Sequence, residues 1–456
     1  MDALTMQHMS AMPAPTWRWL RMNDTEIEVP EGLERMDGAS VEAEDALLDT
    51  TESFEAAVAG LQERLDAARG GVQGSDDRAC VRAAQRARED VADLDTPALS
   101  RYQRRAALEE AAGDVTAAFE TGIGADARAY LGFLAGSTIT LATGAGEAKA
   151  ATVRVEGATG GAAAASIDVV AAPGSTLDLA ISLNAEDEDA NAAEGTAAGG
   201  GCASADGGAD AAEPTRARGL IGSALRVFAG ANARVNVTVY ITADSAFTVL
   251  DDAGYVLDEG ARVTVRHVVL GGAHTYTGLA ADLRGDTARM DIDTRYLASG
   301  SESRDFNYVI RQRGRRTISN MDANGVLTGS AKKVLRGTID LVHGCKGSEG
   351  AENETVLLAS RGVDNKTVPV ILCDEDDVAG NHGATIGHVR PEQLFYLGCR
   401  GLSEEAAEAL FTAAKLEDAA LSAPDAEMRE NVLRLGRALI DGFGDIEDED
   451  FEEDAA

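Results

Sequence analysis

The sequence predicts a mainly β protein built around a parallel β-helix, with a helical region before the solenoid and a short helical domain after it. Three observations carry this. First, from about Ile139 to Val389 apolar residues recur with period two in short runs, among them Val153 and Val155, Leu177, Leu179 and Ile181, and Val235, Val237 and Val239. Second, a five-residue string repeats: Ala233-Arg234-Val235-Asn236-Val237, Ala261-Arg262-Val263-Thr264-Val265 and Ala288-Arg289-Met290-Asp291-Ile292, at steps of 261 minus 233, or 28, and 288 minus 261, or 27. A relative, Ala151-Thr152-Val153-Arg154-Val155, lies 82 residues upstream of the first, about three such steps. Constant spacing marks stacked coils that bury apolar side chains against the next turn of chain, and a closed antiparallel sandwich has no reason to repeat a string in this way. Third, aromatic residues make up only 4% against 45% hydrophobic, so the core is built from Val, Leu, Ile and Ala in regular layers.

Length and charge narrow the function. At 456 residues the chain has room for two or three units of roughly 150 residues. The formal charge of 41 minus 77, or -36, argues against a nucleic-acid backbone or an anionic membrane surface as the main partner. The five cysteines, Cys80, Cys202, Cys345, Cys373 and Cys399, contain no Cys-x-x-Cys pair, which argues against a disulfide framework or a self-contained zinc or iron-sulfur site. No apolar leader follows the initiating Met and no run of about 18 apolar residues occurs, so a cytoplasmic location is expected.

Taken in order, residues 1–135 form an N-terminal arm and helical region. Trp17 and Trp19 stand two apart in a Pro-containing stretch that reads as extended. From Ser40 to Leu131 Ala, Glu, Arg and Leu dominate with apolar residues four apart, the pattern of helices. Residues 136–389 are the solenoid core, interrupted at 185–218 by an Ala-, Gly- and Asp-rich insert with too little apolar surface to offset its ordering entropy. A C-terminal helical domain occupies 390–444: Pro391 suits a first helical position, Leu394, Phe395 and Leu397 give that helix an apolar side, and Ser403 can cap the next. The tail, 445–456, is acidic and reads as disordered.

The best single candidate for chemistry is His382, in Gly380-Asn381-His382-Gly383-Ala384-Thr385. Its imidazole can carry a proton or ligate a metal, while a histidine in a Gly-rich turn can equally be a hydrogen-bonding turn residue. Cys373, in the apolar run Val370-Ile371-Leu372-Cys373, reads as a small buried hydrophobe. His343 with Cys345 is the one close His/Cys pair, His388 reads as a helix-approach residue, and Asp374 to Asp377 as a solvated acidic turn.

Residues 335–401 resemble the SufB/SufD family of iron-sulfur cluster assembly scaffold proteins. The resemblance is carried by Leu335-Arg336-Gly337-Thr338, Pro369, Asp376-Asp377-Val378, His382-Gly383-Ala384-Thr385, Gln393-Leu394-Phe395-Tyr396-Leu397 and Arg400-Gly401, with Asn307-Tyr308 and the stretch from Arg315 to Asn320 fitting more loosely. It implies a right-handed parallel β-helix between helical ends, and a scaffold subunit, not an enzyme, that works with a SufB-like chain and a SufC-type ATPase. SufB-like members carry a sulfur-accepting cysteine fifteen residues before the proline matching Pro369 and a glutamate directly after the histidine; here Glu354 and Gly383 stand there, so the chain resembles the SufD-like partner. The resemblance then implies a transient iron-sulfur cluster at the subunit interface, with His382 as ligand or proton carrier. Many SufD-like members have a cysteine two positions before this histidine, where this chain has Gly380. Pro391, Leu394, Phe395, Tyr396, Arg400, Leu410 and Phe411 become the expected ATPase dock. The chain has no Gly-x-x-x-x-Gly-Lys-Ser/Thr string, so it is expected to bind no nucleotide itself.

Two other readings stand beside this one. A β-helix enzyme could act on polysaccharide through Asp374 to Asp377, or two copies of the chain could pair as a homo-oligomeric scaffold.

Overall fold

A computed structural model describes residues 4–13, 22–43, 119–187, 217–440 and Phe443. Trp17, Trp19, Cys80, Cys202, most of the helical region expected before the core, most of the insert and the acidic tail lie outside the described residues.

The repeat resolves into a parallel solenoid of about eight turns. Each turn gives one strand to each of two nine-stranded sheets, one ordered β20 (Val378–His388), β18 (Ser348–Leu358), β16 (Ile318–Leu327), β14 (Arg289–Ala298), β12 (Arg262–Val269), β10 (Arg234–Ile241), β8 (Thr176–Glu186), β6 (Ala148–Ala158) and β4 (Ala39–Ala43), the other β19 (Asp364–Cys373), β17 (Lys332–Leu341), β15 (Ser303–Gln312), β13 (His274–Leu283), β11 (Phe247–Leu257), β9 (Gly219–Ala229), β7 (Gly161–Ala171) and β3 (Glu34–Arg35), with β5 (Thr138–Ala142) beside β7. The recurring string is the register itself: Arg234, Arg262 and Arg289 begin β10 (Arg234–Ile241), β12 (Arg262–Val269) and β14 (Arg289–Ala298) and stand directly opposite one another. The alanine before each arginine is fully buried at the corner.

The upstream relative falls out of register. Ala151, on β6 (Ala148–Ala158), aligns with Leu179 on β8 (Thr176–Glu186), which aligns with Val237 and not Ala233. The 82-residue separation therefore spans two coils and the insert, not three coils. The same inward alternation survives because the slip of four residues is even.

The corner before these strands needs a left-handed backbone on every coil. Gly174, Asn232, Gly260, Thr287, Arg316 and Gly347 all have φ between 54° and 73° there, and each donates its N–H to the carbonyl of the next coil. Glycine takes this conformation without strain, asparagine tolerates it, and the β-branched Thr287 holds it against its preference.

Both sheets are covered over part of their outer faces, and where the cover is complete, as over β11 (Phe247–Leu257), the strand is buried at every position. Helix α1 (Ala125–Ala135) lays Ala127, Leu131 and Leu134 on Ala162, Ala164, Leu220 and Leu250 of the odd-numbered sheet. Its Arg128 donates to Asp252, 2.7 Å away, which also accepts from Ile123 N at 2.9 Å. The chain entering the core is partly strand: β4 (Ala39–Ala43) closes the first rung antiparallel to β6, so the helical reading does not hold at its start. On either side of the Trp17/Trp19 stretch, β1 (Leu4–Met9) and β2 (Thr25–Val29) pair antiparallel and pack on the odd-numbered sheet.

At the other end, three helices follow the last strand: α2 (Pro391–Cys399), α3 (Glu404–Leu421) and α4 (Ala426–Leu439). Ser403 Oγ accepts from Ala406 N at 3.1 Å and caps α3 as its sequence suggests. Leu416, Ala419, Met428, Val432 and Leu435 pack on Tyr240, Val268, Leu297 and Val326 of the even-numbered sheet, and the Tyr240 hydroxyl donates to Ala419 O at 2.9 Å. Helix α2 buries no residue. Its Leu394, Phe395 and Leu397 do not form a buried side, because the helix leaves the sheet surface before α3 returns to it.

The uncapped end of the solenoid as candidate functional site

The last coil, β19 (Asp364–Cys373) and β20 (Val378–His388), forms the free edge of both sheets. No further coil covers it, so side chains that would lie in the interior of any earlier coil stand open here. Ile371 and Ile386 are 39% and 45% exposed, although they continue the columns of buried Ile339 and Val356. Cys373 follows the same rule. It continues the column of buried Leu341 and is exposed, contrary to its reading as a buried hydrophobe, because the ladder ends with it.

His382 is not in a turn. It lies in the middle of β20, opposite Glu352 of β18 (Ser348–Leu358), and the glycines that suggested a turn are strand positions held by the parallel ladder. Gly380 faces inward, where an added Cβ would meet Ile371 at 3.0 Å. The His382 side chain is 29% exposed, and its Nδ1 lies 3.7 Å from Glu352 Oε2. Neither His388 nor Cys345 joins it. His388 sits at the strand end with Nδ1 2.9 Å from Leu358 O. Cys345 is buried in a corner turn, and burial together with the Glu375 carboxylate pushes its thiol up to about 11. His343 lies 3.8 Å from Glu375 instead. Asp374, Asp376 and Asp377 are exposed, in keeping with a solvated turn. Among the described residues no group of three or more His, Cys, Asp or Glu is placed to hold a metal ion.

Below His382 the interior changes character. The earlier coils are filled mainly by Val, Leu, Ile and Ala, with a buried polar group around Asp251 and His267, whereas the last ones hold Lys333, Glu352 and Glu354, all essentially inaccessible. Lys333, on β17 (Lys332–Leu341), pairs with Glu354, and Glu354 also accepts from the Tyr296 hydroxyl at 3.2 Å and from Thr367 Oγ1 at 2.5 Å. Glu352 has no such company: burial, and then the neighbouring Glu354, raise its carboxyl to about 8. Lys333 and Glu352 belong to no motif, and Glu354 enters the sequence reading only as the residue in place of the SufB-like cysteine. Their signal lay in the alternation Gly350, Glu352, Glu354, Val356, where charged residues occupy positions the period assigns to the interior.

Other motif residues turn out to be pins. Arg336, on β17, donates to Asp305 at 2.7 Å and to Met22 O at 2.7 Å, holding the N-terminal strand pair against the solenoid. Asn307 Nδ2 donates to Gly122 O at 2.6 Å and fixes the approach to α1. Of the residues expected at the dock, Phe395 and Tyr396 are 74% and 56% exposed, with Arg400 5.0 Å above the Tyr396 ring, and Leu410 is exposed as well. Pro391 is exposed, whereas Leu394 and Phe411 are half-buried.

Comparison with known proteins places this geometry. The family model for the SUF system FeS cluster assembly, SufBD core domain, matches residues 205–415. The iron-sulfur cluster assembly protein SufD of Bacillus subtilis is 32% identical over 129 residues, 28% of this chain and 30% of its own length. Over this stretch the chain is similar to the SufB/SufD family. SufD of Escherichia coli is likewise similar, 24% identical over 188 residues, 41% of this chain and 44% of its own. A SufBD family protein of Mycobacterium bovis matches at 28% over 157 residues, 34% of this chain and 18% of that protein. The matches thus cover less than half the length of these SufB/SufD relatives. No helix among the described residues is long and apolar enough to cross a membrane.

Proposed function

We propose that this SufD-like chain is a scaffold subunit of a SUF-type iron-sulfur assembly complex, pairing with a SufB-like chain through its last coil and with a SufC-type ATPase through its C-terminal helices. The observation that carries this reading is the uncapped coil, where two free strand edges, exposed Ile371 and Ile386 and the imidazole of His382 lie together. An open sheet edge with apolar residues is a pairing surface, and a ligand placed on it is completed by whatever docks there. Iron and sulfide are the cargo in this reading: soft thiolate from the neighbour and imidazole from His382 suit a nascent cluster held at the seam. Glu354 stands where SufB-like members hold their sulfur-accepting cysteine, and its pairing with Lys333 supports a division of labour in which the thiol comes from the other chain.

The test is co-expression with the SufB-like and ATPase proteins of the same cell, anaerobic purification, and iron and sulfide analysis beside His382→Ala. A complex that forms normally in the variant but carries severalfold less iron and sulfide is the expected result. A chain that purifies alone, or a variant with undiminished iron, overturns the reading; a stable self-pair would favour the homo-oligomeric scaffold.

The ATPase dock makes a second prediction. Exposed aromatic anchors carry a large share of binding energy, so the double variant Phe395→Ala with Tyr396→Ala should weaken ATPase binding at least about tenfold. Both side chains are open to solvent, so thermal unfolding of the isolated chain should be unchanged. Truncating residues 391–441 is a poorer test, because it strips α3 and α4 from the even-numbered sheet.

A further inference from the structure

The inward column that ends at His382 carries one buried acid immediately behind it, and part of that acid is unpartnered. Glu352 faces His382 in the β18–β20 register, its side chain is 3% exposed, and its Oε1 has no hydrogen-bond partner. The separation of 3.7 Å between His382 Nδ1 and Glu352 Oε2 is too long for a hydrogen bond, which closes at about 3.2 Å. It is instead the span that one cation would bridge: two ligand atoms each about 2.1 Å from a first-row metal, at a tetrahedral or somewhat wider angle, stand roughly 3.4–3.7 Å apart.

The surroundings leave this carboxylate to a ligand from outside the fold. Gly337 faces it so closely that any Cβ there would lie 2.5 Å from the carboxyl group, so the absence of a side chain is what makes the space. Tyr308, Met321 and Leu335 line the same small cavity, and none donates to Glu352 Oε1. The one nearby ammonium, Lys333, donates to Glu354 instead.

We propose that Glu352 and His382 form a two-ligand half-site for a divalent first-row cation, entered from the uncapped end, with water or a docked chain supplying the remaining ligands. The inference rests on the reading of His382 as a cargo-facing residue and adds the acid behind it as a ligand. Imidazole with carboxylate suits ferrous iron, and two protein ligands alone hold it weakly enough to be released.

The full-length chain, kept anaerobic, tests this with Co(II) as a visible-absorption probe and Fe(II) by calorimetry. Wild type is compared with Glu352→Gln, His382→Ala and, as an exposed-acid control, Asp376→Asn. Glu352→Gln and His382→Ala should each weaken binding at least about tenfold, as loss of a site residue does, with Asp376→Asn unchanged. The glutamine fits the same space without a charge, so its melting temperature should not fall. Wild-type affinity in Glu352→Gln with loss in His382→Ala would overturn the half-site and leave the scaffold reading standing. Absence of wild-type binding at millimolar Co(II), equal binding by all four proteins, or loss in Asp376→Asn would overturn the half-site as well, whereas formation of the SUF-type complex is read separately.

Discussion

Lys333→Met should destabilise the chain by roughly 3–5 kcal/mol, and Lys333→Met combined with Glu354→Leu should recover most of that loss. Both side chains are fully inaccessible, so the methionine leaves the Glu354 carboxylate in the solenoid without its counter-charge. Two hydroxyl donors, Tyr296 and Thr367, remain and cannot replace an ammonium. Removing the acid as well turns the layer into the aliphatic kind that fills the earlier coils. Urea unfolding of the two single variants and the double gives the coupling directly. A double variant as unstable as Lys333→Met would mean that the ion pair stabilises the fold outright, and that its retention needs no functional explanation.

The sequence makes the stacking legible because a parallel solenoid writes its register into the chain: residues opposite one another in space are one coil apart, and the Ala-Arg string repeats at that distance. It misplaces the Ala151 string because an insert changes the coil length without changing the inward parity. The misreading of His382 has a different origin. Gly380, Gly383 and Gly387 look like turn punctuation, but an edge strand hydrogen-bonded along its whole length to β18 tolerates them, since the partner ladder fixes the backbone. Cys373 was misjudged because its run is inward-facing as expected, while burial depends on a following coil that the sequence does not announce. Lys333 and Glu352 were legible only as violations of the alternation, and their partners lie 21 and 30 residues away, where no local motif connects them. The exposed face of α2 and the open coil coincide with the family motifs, so the candidate region is legible in the sequence although its geometry is not.

Asp251→Asn should stabilise the chain above pH 8 by up to about 4 kcal/mol and leave it nearly unchanged at pH 4. Asp251 lies in the solenoid interior, accepts from Ser223 Oγ at 2.7 Å, and leaves its second oxygen without a hydrogen bond. Burial raises its carboxyl from 3.8 to about 7, with the neighbouring Asp252 adding to the rise. His267 stands 3.6 Å from it, but burial lowers that imidazole to about 3, so between about pH 4 and 6 the two form a neutral contact and not an ion pair. The Tyr308 hydroxyl, 3.1 Å from His267 Nδ1, and buried Tyr255 complete the polar groups around the acid. A carboxyl whose folded value is raised contributes its stability fully below the unfolded value and loses it as pH rises through the folded one. The window for Asp251 therefore runs from about 4 to 7, and a shift of about 3 at 1.36 kcal/mol each gives the roughly 4 kcal/mol ceiling. Asparagine keeps an acceptor for Ser223 and removes the ionisation, so the difference between variant and wild type should grow across that window and then level off. Urea unfolding at intervals from pH 4 to 9 measures it, and a difference that stays flat with pH would show that Asp251 is ionised in the native solenoid, with a cation or ordered water compensating it.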